Sequence, residues 1–432
     1  MTKRNRINVA WVVILTSFFV CAGLTISAPF VYRWIAQNAR RPLLLTAQGI
    51  QGTPVERERG EQLPFEAEAR EYDPPARMVT TGAAETGMFQ LFEPGSEQLL
   101  ARVQALGNTD VRVDRAYMPR FENSELQPHL FLTLNRGRVR ISVPADSPMS
   151  EPLIVYVNLP DGSVAQVVQA GAYSVEADRD VVQFAVLEGS GSLSSADSTL
   201  TLTTDQRGLV RNGTLNGPLS TDRNLVKNGS FVNGFDDWTP LAWVVEREDQ
   251  PSGETEITED DGESVLRFRR TGEGNARNDL RQEIDQSVIA YSDVRLLIGL
   301  RVLEQSLSIC GSEGFECPLT VRIEYETVQG EQYAWEQGYY AANGVIDNNA
   351  PIICSRCGWP VSLNEHQQMP RVGEVAFFES PNLLATLAQE GIRPVRIHNI
   401  TLTAEGHTFA VDVLEVSLVA REIAGSEGFL SK

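Results

Sequence analysis

His129-Leu130-Phe131-Leu132-Thr133-Leu134-Asn135-Arg136-Gly137-Arg138-Val139-Arg140-Ile141-Ser142-Val143 decides how this chain is to be read. On either side of the turn at Asn135–Gly137 the apolar side chains recur at every second position, the period of a strand with one buried face. Leu153–Leu159, Val164–Gln169, Tyr173–Glu176, Val181–Leu187 and Thr199–Thr203 follow as further short apolar or alternating segments. Turn signals separate them, as in Leu159-Pro160-Asp161-Gly162-Ser163, where proline fixes φ and glycine tolerates positive φ. Many short strands at this spacing predict an all-β fold, a sandwich, barrel or stacked sheet.

Around that core the composition is globular: 432 residues with 42% hydrophobic and 22% charged side chains. Thirty-seven Lys and Arg stand against 57 Asp and Glu, a formal charge of −20. Nucleic-acid affinity rests on clustered cations, so no nucleic-acid partner is expected. The basic residues concentrate at the start. Residues 1–41 hold six of them and no acid, leaving residues 42–432 with 31 basic against 57 acidic side chains, a formal −26.

Between Ile7 and Tyr32 there is no Asp, Glu, Lys or Arg, and Ile, Val, Leu and Phe fill 13 of 26 positions. At about 1.5 Å per residue this stretch exceeds the ~30 Å hydrocarbon core of a bilayer. It is read as one transmembrane helix acting as a signal anchor; Ser27-Ala28 leaves a cleaved signal peptide as the alternative. Lys3, Arg4 and Arg6 are balanced by Arg33, Arg40 and Arg41, so charge does not set the orientation. The acidic bulk with clustered cysteines is expected outside the cytosol, on a single-pass cell-membrane protein. The expected organisation is a cytoplasmic tail (1–6), the helix (7–32), a linker (33–71), a β domain (72–212), a linker (213–223), a second β domain (224–423) and a tail (424–432).

Arg77-Met78-Val79-Thr80-Thr81-Gly82, Pro94-Gly95-Ser96, Leu134–Val139, Pro160-Asp161-Gly162, Ala170–Val175 and Val186-Leu187-Glu188-Gly189 follow one another in the order seen in FecR-type domains, as does Asp205–Gly208. The 72–212 segment thus resembles that family, which implies a β-rich extracytoplasmic module. Known members relay an outer-membrane signal to a sigma factor through an N-terminal cytoplasmic segment. Here the span begins at Ile7, so a scaffold or interaction role is expected instead.

The second resemblance begins at Asn224-Leu225-Val226-Lys227-Asn228-Gly229-Ser230-Phe231-Val232-Asn233-Gly234-Phe235-Asp236-Asp237-Trp238 and ends with Val395–Leu402 and Phe409–Leu418. These resemble the first and closing strands of jelly-roll carbohydrate-binding modules, also called galactose-binding-like domains. The resemblance implies non-catalytic glycan or cell-wall polysaccharide binding. It also implies a structural calcium near the first and last strands, where Val232 replaces a frequent Glu and Glu415 a frequent Asp.

A sugar presents a C–H face that stacks on an aromatic ring and hydroxyls that need polar partners. Trp335, Tyr339 and Trp359 are the candidate platforms, with Tyr333 and Gln337 beside them; the alternative is that these rings fill the core against Val321, Ile323 and Tyr325. Trp238 and Trp243 read as structural. Cys310, Cys317, Cys354 and Cys357 predict two disulfides, the local pairing being one of three connectivities, with a four-cysteine zinc site as the rival. No G-x-S-x-G, P-loop or H-E-x-x-H occurs, and the four histidines, His129, His366, His398 and His407, form no catalytic spacing. No enzyme activity is expected. A scaffold docking other envelope proteins is the second functional reading.

Overall fold

The computed structural model describes residues 3–58, 61–82, 84–96, 98–121, 124, 126–145, 152–179, 181–196, 198–260, 262–341 and 364–422. The protein is mostly β: of the described residues 58% are in strands and 9% helical, as the alternation predicts.

The N-terminal helix runs over Lys3–Asn38 and continues past the expected Tyr32 by more than one and a half turns. Its segment Trp11–Asn38 has mean hydropathy 2.0 and is long and apolar enough to cross a membrane, a test that a signal sequence also passes. Phe18, Phe19, Leu24 and Phe30 are each more than 60% exposed, so protein packing does not cover its apolar surface.

The first β unit begins at Arg40, not at residue 72. Leu44–Gln51, Val55–Glu58, Glu61–Pro64 and Arg70–Tyr72 are strands, and Leu43, Leu45, Ala47 and Phe65 lie in the core. Gly52 and Pro54 lie in the turn between the first two of these strands. The strand signal is the alternation Leu43-x-Leu45-x-Ala47 ahead of Gly49, Gly52 and Pro54. Likewise Thr214–Ser220, expected as linker, pairs antiparallel with Gln206–Arg211.

Two sheets make up this unit, and the 15-residue strand His129–Val143 belongs to both. Its first half pairs with Asp110–Pro119 and Ile154–Asn158. The second half pairs with Leu99–Ala105 and Gly171–Ala177. The switch falls at a register shift between Leu134 and Arg136, where an irregularity bends the strand from one sheet into the other. Leu130, Leu132, Leu134, Val139 and Ile141 are all 0% exposed, so the alternation in the sequence is the burial pattern.

A two-sheet β-sandwich follows. One sheet has the order Glu254–Asp260, Glu263–Arg270, Phe409–Glu422, Tyr291–Gln305, Ala376–Glu379, with Arg223–Asn224 also on Phe409–Glu422. The other has the order Thr239–Val244, Ala276–Ser287, Pro394–Gly406, Leu319–Thr327, Gln332–Ala341, Gln367–Met369. Between them lies a core that includes Phe231, Phe268, Leu296, Ile323, Trp335, Ile400 and Leu418. The Asn224–Trp238 motif closes one side of it. The Asn228 side chain donates to the carbonyls of Gly234 and Asp236, and the Trp238 indole donates to the Asn228 carbonyl at 3.1 Å. These bonds fix a compact turn that puts Phe231 and Trp238 into the core, ring centroids 5.8 Å apart. A Cβ at Gly229 would lie 1.9 Å from the Val416 carbonyl oxygen, so only glycine permits this close approach to the last strand.

Candidate functional site

On the five antiparallel strands from Thr239–Val244 to Gln332–Ala341, Leu280, Leu402, Ile400, Val321, Ile323 and Trp335 point into the core. Strand alternation therefore turns Arg277, Asp279, Arg281 and Glu283, then Asn399, Thr401 and Thr403, then Arg322 and Glu324, then Glu336 to the outer face. Cross-strand registers place these in rows: Arg281 opposite Thr401, Thr401 opposite Arg322, Arg322 opposite Glu336. The result is a sheet face of ion pairs and hydrogen bonds with its apolar side fully used by the core.

The side chains hold one another in place. Arg277 Nε donates to Asp279 at 2.8 Å, and the Thr403 hydroxyl donates to the same Asp279 oxygen at 2.7 Å. Asn399 Nδ2 donates to Glu324 at 2.7 Å, Arg322 Nε donates to Glu324 at 3.1 Å, and Arg322 also pairs with Glu336. Burial alone raises the Glu324 pKa, but the Asn399 bond and the Arg322 charge outweigh it, and the carboxyl is held below its ordinary range. Arg281, Glu283, Arg322, Glu324, Gln332, Tyr333, Ala334, His398 and Asn399 surround a cleft of about 400 Å³. His398 enters this lining because the registers of its strand shift on both sides, between Glu324 and Tyr325 and between Glu283 and Gln286. Such irregularities re-aim a side chain.

At the far corner of the same face stands Trp243, the partner of Arg277, with the guanidinium 5.5 Å from the ring centroid. The ring is 40% exposed on an edge strand. From Arg277 to Arg281 is four strand residues, about 13 Å. The face therefore has length: an aromatic ring and a cation at one end, a polar cleft bordered by Arg281, Arg322 and Glu324 at the other.

This arrangement differs from the expected one. Trp335 and Tyr339 are each 2% exposed, so neither presents a ring face for stacking. They are the cross-strand partners of Ile323 and Leu319 and share the inward side with them. Burial pushes the Tyr339 hydroxyl pKa up. Gln337 is also buried, its amide donating to the carbonyls of Gly338 and Glu365. Tyr333, opposite the buried Tyr325, packs against the core at the strand end, half-buried, with its hydroxyl donating to Glu331 at 2.7 Å, and borders the cleft. Trp359, Cys354 and Cys357 lie outside the described residues. Trp238 is buried as expected, whereas Trp243, read as structural, is the exposed ring. Its signal was the alternate placing of Leu241, Trp243 and Val245, all exposed, on a strand whose neighbour carries Arg277-x-Asp279-x-Arg281-x-Glu283.

Cys310 and Cys317 form a disulfide. His366 lies against it, its Nε2 2.8 Å from the Gly314 carbonyl, and burial lowers its pKa. Among the described residues, these two cysteines and His366 are the one group of three or more His, Cys, Asp or Glu side chains with converging ligand atoms. Glu415 is exposed on the last strand, opposite Gly299, and Val232 is 65% exposed.

No family model matches the chain, and no curated protein matches it. Solved structures similar to parts of it include TmCBM61 in complex with β-1,4-galactotriose, at 13% identity over 45% of this chain and 97% of that one, with a TM-score of 0.25. A family 11 carbohydrate-binding module from Clostridium thermocellum, in complex with a β-1,3-1,4-mixed-linked tetrasaccharide, matches at 8% identity over 46% and 96%, with a TM-score of 0.26. A crystal structure described as an anti-sigma factor from Parabacteroides distasonis matches at 16% identity over 32% and 57%, with a TM-score of 0.23. At these identities and scores none of them assigns a ligand or a residue role to this chain.

Proposed function

We propose that this chain is a membrane-anchored, non-catalytic glycan-binding protein, and that the glycan lies on the outer face of the five antiparallel strands from Thr239–Val244 to Gln332–Ala341. The observation that carries the reading is the face itself: an array of fixed donors and acceptors around an open cleft, with an exposed Trp243 at the opposite corner of the same sheet. Sugar hydroxyls need paired polar groups held in position, because each one that is desolvated and left unpaired weakens binding. Here Arg322 and Glu324 are fixed by their own bonds before any ligand arrives, Glu324 both by Arg322 and by the amide of Asn399, which is itself 1% exposed. The length of the face suits an extended oligosaccharide better than a monosaccharide. The N-terminal helix would hold the module at the cell surface, with the first β unit as its support.

The test is binding of the detergent-solubilised full chain to a panel of glycans and cell-wall polysaccharides, with and without calcium. Specific binding that weakens tenfold or more in Arg322→Ala supports the reading. Full retention of binding by that variant, or no binding to any polysaccharide, contradicts it. A calcium requirement would support the structural ion that the resemblance implies.

A further inference from the structure

The chain leaves its apolar helix and enters the first β unit without a spacer. Asn38 ends the helix, and Arg40 already pairs with Pro119. The junction is tied twice more, by the Arg120 amide to the Ala39 carbonyl at 3.0 Å and by the Ser124 hydroxyl to the Gln37 carbonyl at 2.8 Å. Whatever surface of the unit lies beside this junction is held within a few residues of the helix end.

That surface is aromatic. Ala116, Met118, Leu130, Leu132, Val155 and Val157 of the local strands are buried. Tyr117, His129, Phe131 and Tyr156 alternate with them on the outside. His129 is the register partner of Tyr117, and Phe131 that of Tyr156. The rings form a continuous row, with centroids 5.4 Å apart for Tyr117 and His129, 5.9 Å for His129 and Phe131, and 5.1 Å for Phe131 and Tyr156. Arg40 lies 4.4 Å over Tyr117, and Arg115 lies 4.7 Å over Phe131.

The charge beside the row is opposite to that of the rest of the chain. Arg33, Arg40, Arg115 and Arg120 are all exposed, and among the described residues none of them has an ion-pair partner. Residues 42–432 as a whole carry an excess of acid. Aromatic rings, three of these four with a polar tip, set next to arginines are what the headgroup layer of a bilayer accommodates.

We propose that this row is a second membrane contact, in which Tyr117, His129, Phe131 and Tyr156 rest in the headgroup layer and Arg40, Arg115 and Arg120 pair with anionic lipid headgroups. The inference rests on the N-terminal helix being retained as a span. The contact fixes the tilt of the first β unit on the membrane, so that it does not swing freely about residue 39.

The experiment places p-benzoylphenylalanine at Phe131, and separately at Phe19 in the helix, in the full chain reconstituted in nanodiscs of phosphatidylcholine with or without phosphatidylglycerol. Lipid adducts are read by mass spectrometry after irradiation. The expected result is lipid adducts at both positions, with those at 131 depending on phosphatidylglycerol and falling about fivefold for each of Arg40→Ala and Arg115→Ala. Adducts at 19 with none at 131 overturn this contact and leave the span standing. Absence at both overturns the span and the contact together. Adducts at 131 to a second copy of the chain in place of lipid overturn it in favour of a protein interface. Equal adducts in neutral lipid overturn the anionic headgroup as the partner.

Discussion

Glu176 of the first β unit is held by Arg138 on its own sheet, at 3.1 Å, and by Arg223 at the start of the second sandwich. Arg223 also pairs with Glu422 of the last strand at 3.2 Å. Arg138 in turn donates to the hydroxyl of Tyr291 at 2.9 Å and lies over its ring. Both arginines and Glu422 are less than 10% exposed, so the two units share a buried charged joint. Burial by itself would raise the Glu176 pKa; Arg138 and Arg223 overcome it and hold the carboxyl at about 2.

Removing one member of a buried charge group strands the others. Glu176→Gln should therefore destabilise the chain by about 3–5 kcal/mol, seen as a lower denaturant midpoint. The sign with pH follows. A carboxylate whose folded pKa lies below its unfolded value adds stability that is fully present above about 4.5 and is lost as the pH falls towards 2. The parent should lose stability across that window, and the variant should lose less.

Glu316 shows the reverse. Burial first, and then the charges of Glu405, Glu246 and Glu313, push its pKa up to about 7. The unfolded chain ionises this group near its ordinary value, so stability is highest below that value and declines as the pH rises to about 7. Glu316→Gln should be more thermostable than the parent at pH ~8 and equal to it at pH ~4, as read by calorimetry.

The turn that anchors the second sandwich gives a packing prediction. Phe231 is 0% exposed, and Phe231→Ala should cost about 3–5 kcal/mol in chemical unfolding. Gly229→Ala should also destabilise strongly, because its new methyl meets the Val416 carbonyl oxygen. Parent-like unfolding of both variants would show that the turn is dispensable.

Trp335→Ala should lower the melting temperature sharply, since the ring is 2% exposed, whereas Trp243→Ala should leave it nearly unchanged. Thermal unfolding of the two variants checks the assignment of inward and outward faces directly. Similar losses in both would mean that the two rings share one environment.

Much of the fold could be read from the chain because alternation is a local signal. Leu130-x-Leu132-x-Leu134 and Val139-x-Ile141 state which side is buried without reference to any distant residue. The segment 40–72 was harder, since its strands are short and broken by Gly49, Gly52 and Pro54, the same residues that mark linkers. The site was legible only in part. Trp335 and Tyr339 form a local aromatic cluster, but whether such a cluster faces in or out depends on the register with Leu319–Thr327, a long-range pairing. Arg322, Glu324 and Asn399 are ordinary strand residues until the sheet sets them side by side. The joint at Glu176, which links positions 138, 176, 223, 291 and 422, left no trace in any local pattern.

The most direct test compares polysaccharide binding of three variants of the full chain: Arg322→Ala and Trp243→Ala on the proposed face, and Phe377→Ala on the opposite sheet, where that ring is 67% exposed. Both face variants should lose affinity, Arg322→Ala by tenfold or more, while Phe377→Ala binds like the parent. Loss in Phe377→Ala alone, with both face variants unchanged, would contradict the proposed site.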